Sequence, residues 1–228
     1  MPETKCNLPV IKGVIFDMDG TILDTESLSL GFWIETLKKY GIELDKNIVI
    51  SLMGTSKKAI IDGMNQRYGD RVDIEKVYEE KNGSMLEYME KQAPDVKKGY
   101  YELKKYLDDN GYKTAIATAT VKDKVALRMK FLKLDEDFDF VVCGSDIKNS
   151  KPDPEIFLKA AEGIGLKPEE CVVLEDSKAG VTAAYRGGFK CVNIPDLKIP
   201  DDDMKRMADA ELESLDKVIE YLEKINRR

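Results

Sequence analysis

Two pairs of acidic residues each follow an apolar, strand-like run. Asp17 and Asp19 belong to the segment Asp-Met-Asp-Gly-Thr, and Glu175 and Asp176 precede Ser177. Taken alone, the first pair would be explained by an Asx turn that closes the strand. The second pair would be explained by capping of a helix that begins at Ser177. Buried carboxylates are costly unless they are paired or bound to a metal, and four of them repel one another. If the two pairs meet, they predict an oxygen-only site for a divalent cation.

The chain contains no histidine. This excludes His-based acid–base catalysis, Ser-His-Asp and Cys-His nucleophile systems, and almost every kind of catalytic zinc site. Catalysis must therefore rely on Asp, Glu, Lys, Ser, Thr, Tyr or Cys. A catalytic metal would be held mainly by oxygen, and this favours Mg²⁺.

Two further polar residues stand where they could join the acidic pairs. Thr118 ends an apolar run, and Lys151 lies in the proline-flanked loop 150–154. Taken alone, threonine is common in strands and a loop lysine is usually a solvated surface residue. Their meaning depends on whether the fold brings them to the carboxylates.

Short β-type runs alternate with helical patterns along the chain. The apolar stretches are continuous rather than alternating, which is typical of parallel strands covered on both faces. The predicted strands cover residues 10–16, 112–117, 138–143, 171–174 and 190–194. Helical spacing of apolar residues lies between them, with Asp153 as an N-cap and Pro154 at the first helical position. The pattern predicts an α/β fold with a doubly wound, Rossmann-like parallel sheet. Ligands bind at the carboxyl ends of such strands, where the polar residues above are expected to converge.

The first two predicted strands are separated by far more chain than one crossover needs. Residues 26–94 carry helical stripes and no convincing strand. We therefore predict a core domain formed by residues 1–25 and 95–228, and a helical domain inserted as residues 26–94.

Composition narrows the class of protein. The 228 residues are 43% hydrophobic and 35% charged, with a net charge of −7 and a pI of about 5.0. The acidic balance argues against nucleic-acid binding, and the sequence shows neither a membrane span nor a secretory signal. We expect a cytoplasmic monomer. The four cysteines form no C-x-x-C pair, and the three in strand-like runs (Cys143, Cys171 and Cys191) are expected to be buried and reduced.

The motifs, taken in order, resemble those of the haloacid dehalogenase superfamily of aspartate-nucleophile phosphohydrolases. They are D-x-D-G-T at residues 17–21, Thr118 after the second strand, Lys-Pro-Asp-Pro at 151–154 and Glu-Asp-Ser at 175–177. The resemblance covers most of the chain. Within the superfamily, the sequence is most similar to the branch of β-phosphoglucomutase-like proteins and small sugar-phosphate phosphatases. In that branch the helical insertion is a cap domain.

The resemblance implies roles for the core residues. Asp17 would attack a phosphomonoester and form an aspartyl phosphate, and Asp19 would be the general acid and then the base. Thr118 and Lys151 would hold the transferring phosphoryl oxygens. Mg²⁺ would be bound by a carboxylate oxygen of Asp17, the backbone carbonyl of Asp19 and a carboxylate oxygen of Asp176. Glu175 would contact the ion through a water molecule, or would contact these ligands instead.

Substrate contacts are expected from two regions. Gly20, Thr21, Ala119 and Thr120 are predicted to contact the substrate from the core, with backbone N–H groups near Asp19–Thr21 as donors. Lys57 and Lys81 fall where related caps place cationic substrate contacts. The alternative for each lysine is a solvated helix surface. The expected substrate is a small phosphorylated metabolite.

One departure from the family pattern bears on the reaction. The mutases of this branch place a histidine in the first cap helix, and the aligned residue here is Ser29. The sequence therefore favours a phosphatase, with a phosphosugar mutase as the alternative. A phospho-accepting receiver module would lack the second aspartate and the helical insertion, and a dehalogenase would lack both the Asp19 acid–base and the metal.

Overall fold

In the computed structural model, residues 10–134 and 137–226 are described. They form one parallel sheet of six strands in the order β3-β2-β1-β4-β5-β6. The strands are β1 (Gly13–Phe16), β2 (Lys113–Ala117), β3 (Phe140–Val142), β4 (Cys171–Glu175), β5 (Lys190–Asn193) and β6 (Ala210–Glu211). The predicted doubly wound α/β fold is confirmed.

Ten α-helices connect or cover these strands within the described residues. They are α1 (Thr25–Lys39), α2 (Lys46–Leu52), α3 (Lys57–Tyr68), α4 (Ile74–Lys91), α5 (Tyr100–Asp109), α6 (Lys122–Leu132), α7 (Glu155–Gly163), α8 (Lys178–Arg186), α9 (Asp202–Met207) and α10 (Lys217–Asn226). Two 3₁₀ turns lie at Gly144–Asp146 and Pro168–Glu170. Within the described part of the chain, no helix has the length and apolar character that a membrane span requires.

Alternate strand residues point to opposite faces of the sheet, and helices cover both faces. Val14 and Phe16 of β1 pack in one hydrophobic cluster with helices α5, α6 and α10. Ile15 packs in a second cluster with α7, α8 and α9. The three cysteines in the described residues, Cys143, Cys171 and Cys191, are buried and free, whereas Cys6 lies outside the described residues.

The four inserted helices, α1–α4, have a hydrophobic cluster of their own, which includes Trp33, Leu37, Met64 and Val77. One segment of chain leads into these four helices and another leads out. These are joined by hydrogen bonds from Asp24 N to Asp95 O (2.8 Å) and from Lys97 N to Ile22 O (2.8 Å). The all-helical character predicted for the insertion is therefore seen, and the exact domain limits of 26–94 stay a prediction.

Several element boundaries differ from the sequence prediction. Strand β1 begins at Gly13 rather than at residue 10, since Val10 is exposed and precedes the sheet, and β3 begins at Phe140 rather than at 138. Helix α7 begins at Glu155, so Pro154 is the N-cap and not the first helical residue. The two-residue strand β6 was not predicted, because its length leaves no periodic signal.

Candidate active site

The strand ends bring three polar residues to one edge of the sheet. Asp17 follows β1 and its N–H donates to Leu174 O (2.9 Å), while Thr118 follows β2 and its N–H donates to Val142 O (3.0 Å). Glu175 is the last residue of β4, which pairs with β1. Since β1 lies between β2 and β4, these side chains share the carboxyl edge, where ligands of doubly wound sheets bind.

Lys151 joins two of these carboxylates. Its Nζ lies 2.5 Å from Asp17 Oδ1 and 2.8 Å from Glu175 Oε1, and it also donates to Ala117 O (3.2 Å). The Lys151 side chain is only 9% exposed. The structure therefore places Lys151 in a buried ion-pair network and not on a solvated surface.

Burial and charge perturb the ionisation of this network. Burial raises the pKa of Asp17 to about 8, with Glu175 adding to the increase and Lys151 opposing it. Burial alone would lower the pKa of Lys151, but the charges of Asp17 and Glu175 and their hydrogen bonds hold it above its usual value. Burial, together with Glu175 and Asp17, also raises the pKa of Asp176. The three carboxyl groups of Asp17, Glu175 and Asp176 thus outnumber Lys151, the cation that pairs with two of them.

The surroundings of Asp176 suit a hard cation. Its nearest hydrogen-bond partner is Thr21 Oγ1, at a long 3.4 Å from Oδ1. Nearby, Asp196 lines the same cavity and its Oδ2 is buried without a hydrogen-bond partner. Oxygen atoms are the ligands that Mg²⁺ prefers, so the donor chemistry fits this ion. Within the described residues, no three acidic side chains are gathered closely enough to form a metal centre by themselves. The predicted metal ligands stay a prediction.

Gly20 and Gly144 allow close approaches around the site. Gly20 has φ +88°, and a Cβ at this position would overlap Asp176 Oδ2. A Cβ at Gly144 would overlap the backbone oxygen of Ala119. Both contacts require a residue without a side chain, so the segment 17–21 and the Ala119 backbone are held tightly against their neighbours.

Both carboxylate oxygens of Asp19 are engaged by side chains from beyond β2. Arg128 Nη1 donates to Oδ1 (2.6 Å), and Thr120 Oγ1 donates to Oδ2 (2.6 Å). Thr118 Oγ1 lies at 3.5 Å from Oδ2. The role of Arg128 was missed in the sequence. The available signal was a charged residue between Val125 and Met129 on the buried face of α6.

The site opens into a cavity of about 370 Å³ between the sheet and the inserted helices. Its walls include the predicted residues Asp17, Asp19, Thr118, Ala119, Lys151, Glu175 and Asp176. They also include Glu26, Asp196 and Lys198, which the sequence did not single out. Lys198 reaches the inserted helices, where its Nζ donates to Met53 O (3.1 Å).

A second cavity of about 330 Å³ shares the wall formed by Glu26 and Met53–Thr55. It is lined by Ser29 and Lys81. Lys81 is buried, and its Nζ donates to Ser29 Oγ (2.6 Å) and Asn82 Oδ1 (3.3 Å). Burial lowers the pKa of Lys81 to about 8, although the charge of Glu26 opposes this.

Lys57 lies elsewhere. It is half-exposed, forms an ion pair with Glu79 (2.5 Å) and contacts the ring of Tyr78. The described residues that line the two cavities do not include Lys57. The structure therefore brings Lys81, but not Lys57, to the cavities.

Comparison with known proteins agrees with the motifs. Residues 14–194 match the family of haloacid dehalogenase-like hydrolases. The chain is 33% identical over 184 residues to a phosphorylated carbohydrates phosphatase of Thermotoga maritima, covering 79% of this chain and 83% of the relative. It is 35% identical over 188 residues to a fructose-1-phosphate phosphatase of Escherichia coli, covering 80% of this chain and 95% of the relative. A solved β-phosphoglucomutase of Clostridium difficile has a similar fold, with a TM-score of 0.66 and 25% identity over 96% of this chain and 100% of that one. The predicted resemblance is confirmed: the chain belongs to the haloacid dehalogenase-like hydrolase family, and the two curated relatives described above are phosphatases.

Proposed function

We propose that the protein is a Mg²⁺-dependent phosphatase that hydrolyses a small phosphomonoester through an aspartyl phosphate. The observation that carries the proposal is the buried Asp17–Lys151–Glu175 network, which lines a cavity of about 370 Å³. A buried carboxylate beside a lysine, facing a cavity, is suited to attack an anionic phosphorus centre.

In the first step, one carboxylate oxygen of Asp17 attacks phosphorus, and the bond between phosphorus and the alkoxide oxygen breaks. Asp19 donates its proton to the leaving alkoxide. Lys151 stabilises the charge on the transferring phosphoryl group, and Thr118 donates to one of its oxygens. Because Lys151 already bonds Asp17 Oδ1, it also fixes the orientation of the nucleophile.

In the second step, water attacks the phosphorus of the aspartyl phosphate. Asp19 accepts the proton of this water, the bond between phosphorus and Asp17 breaks, and inorganic phosphate leaves. Asp17, the backbone carbonyl of Asp19 and Asp176 would hold Mg²⁺, with Glu175 nearby. When bound, the ion offsets the repulsion between the anionic nucleophile and the anionic phosphate.

The inserted helices are proposed to form a cap that contacts the rest of the substrate. Lys81 supports this proposal because it is a buried cation that faces a cavity and makes hydrogen bonds to neutral partners. A sugar phosphate is the substrate class we favour, in keeping with the substrates named for the two curated phosphatases.

Hydrolysis is favoured over mutase chemistry because of Ser29. Its Oγ accepts a hydrogen bond from Lys81, and a serine hydroxyl does not ionise near neutral pH, where a histidine changes its charge. A phosphosugar mutase remains the second candidate, since a β-phosphoglucomutase shares the fold.

The test is a phosphate-release assay with Mg²⁺ on 4-nitrophenyl phosphate, fructose 1-phosphate and hexose phosphates. We expect release from at least one of them, and Asp17→Asn should lower it by at least about 1,000-fold. Asp109→Asn, at an exposed carboxylate paired with Lys105, is the matched control. Unchanged release in Asp17→Asn would refute the proposal. A phosphosugar isomer formed without net phosphate, seen by phosphorus NMR, would identify the mutase.

A further inference from the structure

The carboxylate of Asp19, in the loop after β1, is held by side chains from a different part of the chain. Arg128 Nη1 and Thr120 Oγ1 each lie 2.6 Å from a different carboxylate oxygen of Asp19. Two charge-assisted hydrogen bonds to separate oxygens restrict both the rotation and the tilt of the carboxylate.

Arg128 is itself buried and anchored. It lies on α6 beside Val125 and Met129, which belong to the hydrophobic cluster on that face of the sheet. Its second nitrogen, Nη2, is 3.9 Å from Met89 Sδ at the end of α4. A guanidinium is costly to bury unless it is paired. Among the described hydrogen-bond partners of Arg128, which are Asp19, Thr120 and Met89, Asp19 is the acidic one.

We propose that Arg128 is a positioning residue for Asp19, whose carboxyl group it fixes in place for proton transfer from the water that hydrolyses the aspartyl phosphate. The inference rests on the proposed phosphatase function. The ion pair forms with the carboxylate, which is the form that accepts a proton from water. Misplacing such a base by about 1 Å can cost on the order of 100-fold in rate. Arg128 therefore acts on the breakdown of the phosphoenzyme more than on its formation.

This assignment predicts a specific kinetic pattern with 4-nitrophenyl phosphate. Nitrophenolate leaves without needing a proton, so formation of the phosphoenzyme does not depend on where Asp19 points. In Arg128→Met, breakdown becomes slow, so kcat should fall by about 10- to 100-fold. The KM should fall in proportion, leaving kcat/KM within about 3-fold of the wild type.

Rapid mixing of the full-length protein with Mg²⁺ and 4-nitrophenyl phosphate tests the pattern. Arg128→Met should release a burst of about one nitrophenolate per enzyme before the slow steady state, because the phosphoenzyme accumulates. The burst also counts the folded, competent enzyme. Arg128→Lys keeps the positive charge and should recover part of kcat, whereas Lys124→Met, at an exposed position of the same helix, should leave every parameter unchanged.

A double-mutant cycle gives the second readout. Once Asp19→Asn has removed the base, Arg128→Met should cost little more, because the two residues act as one unit. Equal losses in kcat and kcat/KM, no burst, or losses that multiply in the double variant would overturn the role of Arg128. Any of these results with an active wild type leaves the phosphatase proposal standing, whereas a wild type that releases neither nitrophenolate nor phosphate refutes that proposal itself.

Discussion

Replacing Lys81 with methionine should make the folded protein more stable near neutral pH. Lys81 is 5% exposed, and its hydrogen bonds go to Ser29 and Asn82 rather than to a carboxylate. Burial lowers the pKa of Lys81 from 10.5 to about 8. That difference corresponds to about 3 kcal/mol of folding free energy lost when Lys81 is protonated.

The pH dependence has a definite sign. Below pH 8 both the folded and the unfolded chain carry the proton, so the full cost is present. Between pH 8 and 10.5 the unfolded chain binds more protons than the folded one, so the stability of the wild type rises with pH. Lys81→Met removes both the cost and its pH dependence.

The net gain is smaller than 3 kcal/mol because Ser29 loses a hydrogen-bond partner, at about 1 kcal/mol. We therefore expect Lys81→Met to gain about 2 kcal/mol at pH 7, which raises Tm by about 4–8 °C in a chain of this size. At about pH 10 most of this advantage should vanish. Substrate turnover should fall, since the same cation is proposed to contact the substrate.

Thermal unfolding followed by circular dichroism at pH 7 and pH 10 measures the effect. Lys76→Met is the control, because Lys76 lies exposed on the same helix and its replacement should change stability by less than about 0.5 kcal/mol. A Lys81→Met variant that is less stable than the wild type at pH 7, or whose advantage is the same at both pH values, would refute the reasoning.

Three further predictions concern the core site. Lys151→Met removes the cation shared by Asp17 and Glu175, whose side chains are 9% and 1% exposed. The free energy of unfolding, measured with urea, should fall by about 3–5 kcal/mol. A fall of less than about 1 kcal/mol would contradict the buried network. Gly20 has φ +88°, and Gly20→Ala would place a Cβ onto Asp176 Oδ2. The Mg²⁺ concentration for half-maximal phosphate release should therefore rise. An unchanged Mg²⁺ titration would argue against Asp176 as a ligand. Removing divalent cations with a chelator should abolish phosphate release and added Mg²⁺ should restore it, whereas full activity in the chelator would exclude the metal.

The sequence predicted most of the parallel sheet because buried parallel strands are continuous apolar runs. The residues at their carboxyl ends, such as Asp17 and Thr118, could be placed together because parallel strands all end at the same edge of the sheet, where ligands of doubly wound folds bind. The two residues of β6 are too few to give such a signal.

Side-chain partners were harder to predict than strand ends. Arg128 reaches Asp19 across 109 residues of chain, and only the folded packing of α6 reveals the pair. Lys57 and Lys81 looked equivalent in sequence, yet Glu79 holds Lys57 on the outer surface while Lys81 turns towards Ser29. Lys57 begins α3 and Lys81 lies within α4, and only the tertiary contacts of these helices show which lysine lines a cavity.

The most direct test of the account is to find the phosphoryl group on Asp17. The variant Asp19→Asn slows breakdown of the intermediate, and 4-nitrophenyl phosphate can phosphorylate it without a general acid. Acid quenching followed by peptide mass spectrometry should then show one added phosphoryl group on the peptide that contains Asp17, and none when Asp17 is also replaced by Asn. Phosphate release with that peptide unmodified, or with the phosphoryl group on another residue, would contradict Asp17 as the nucleophile.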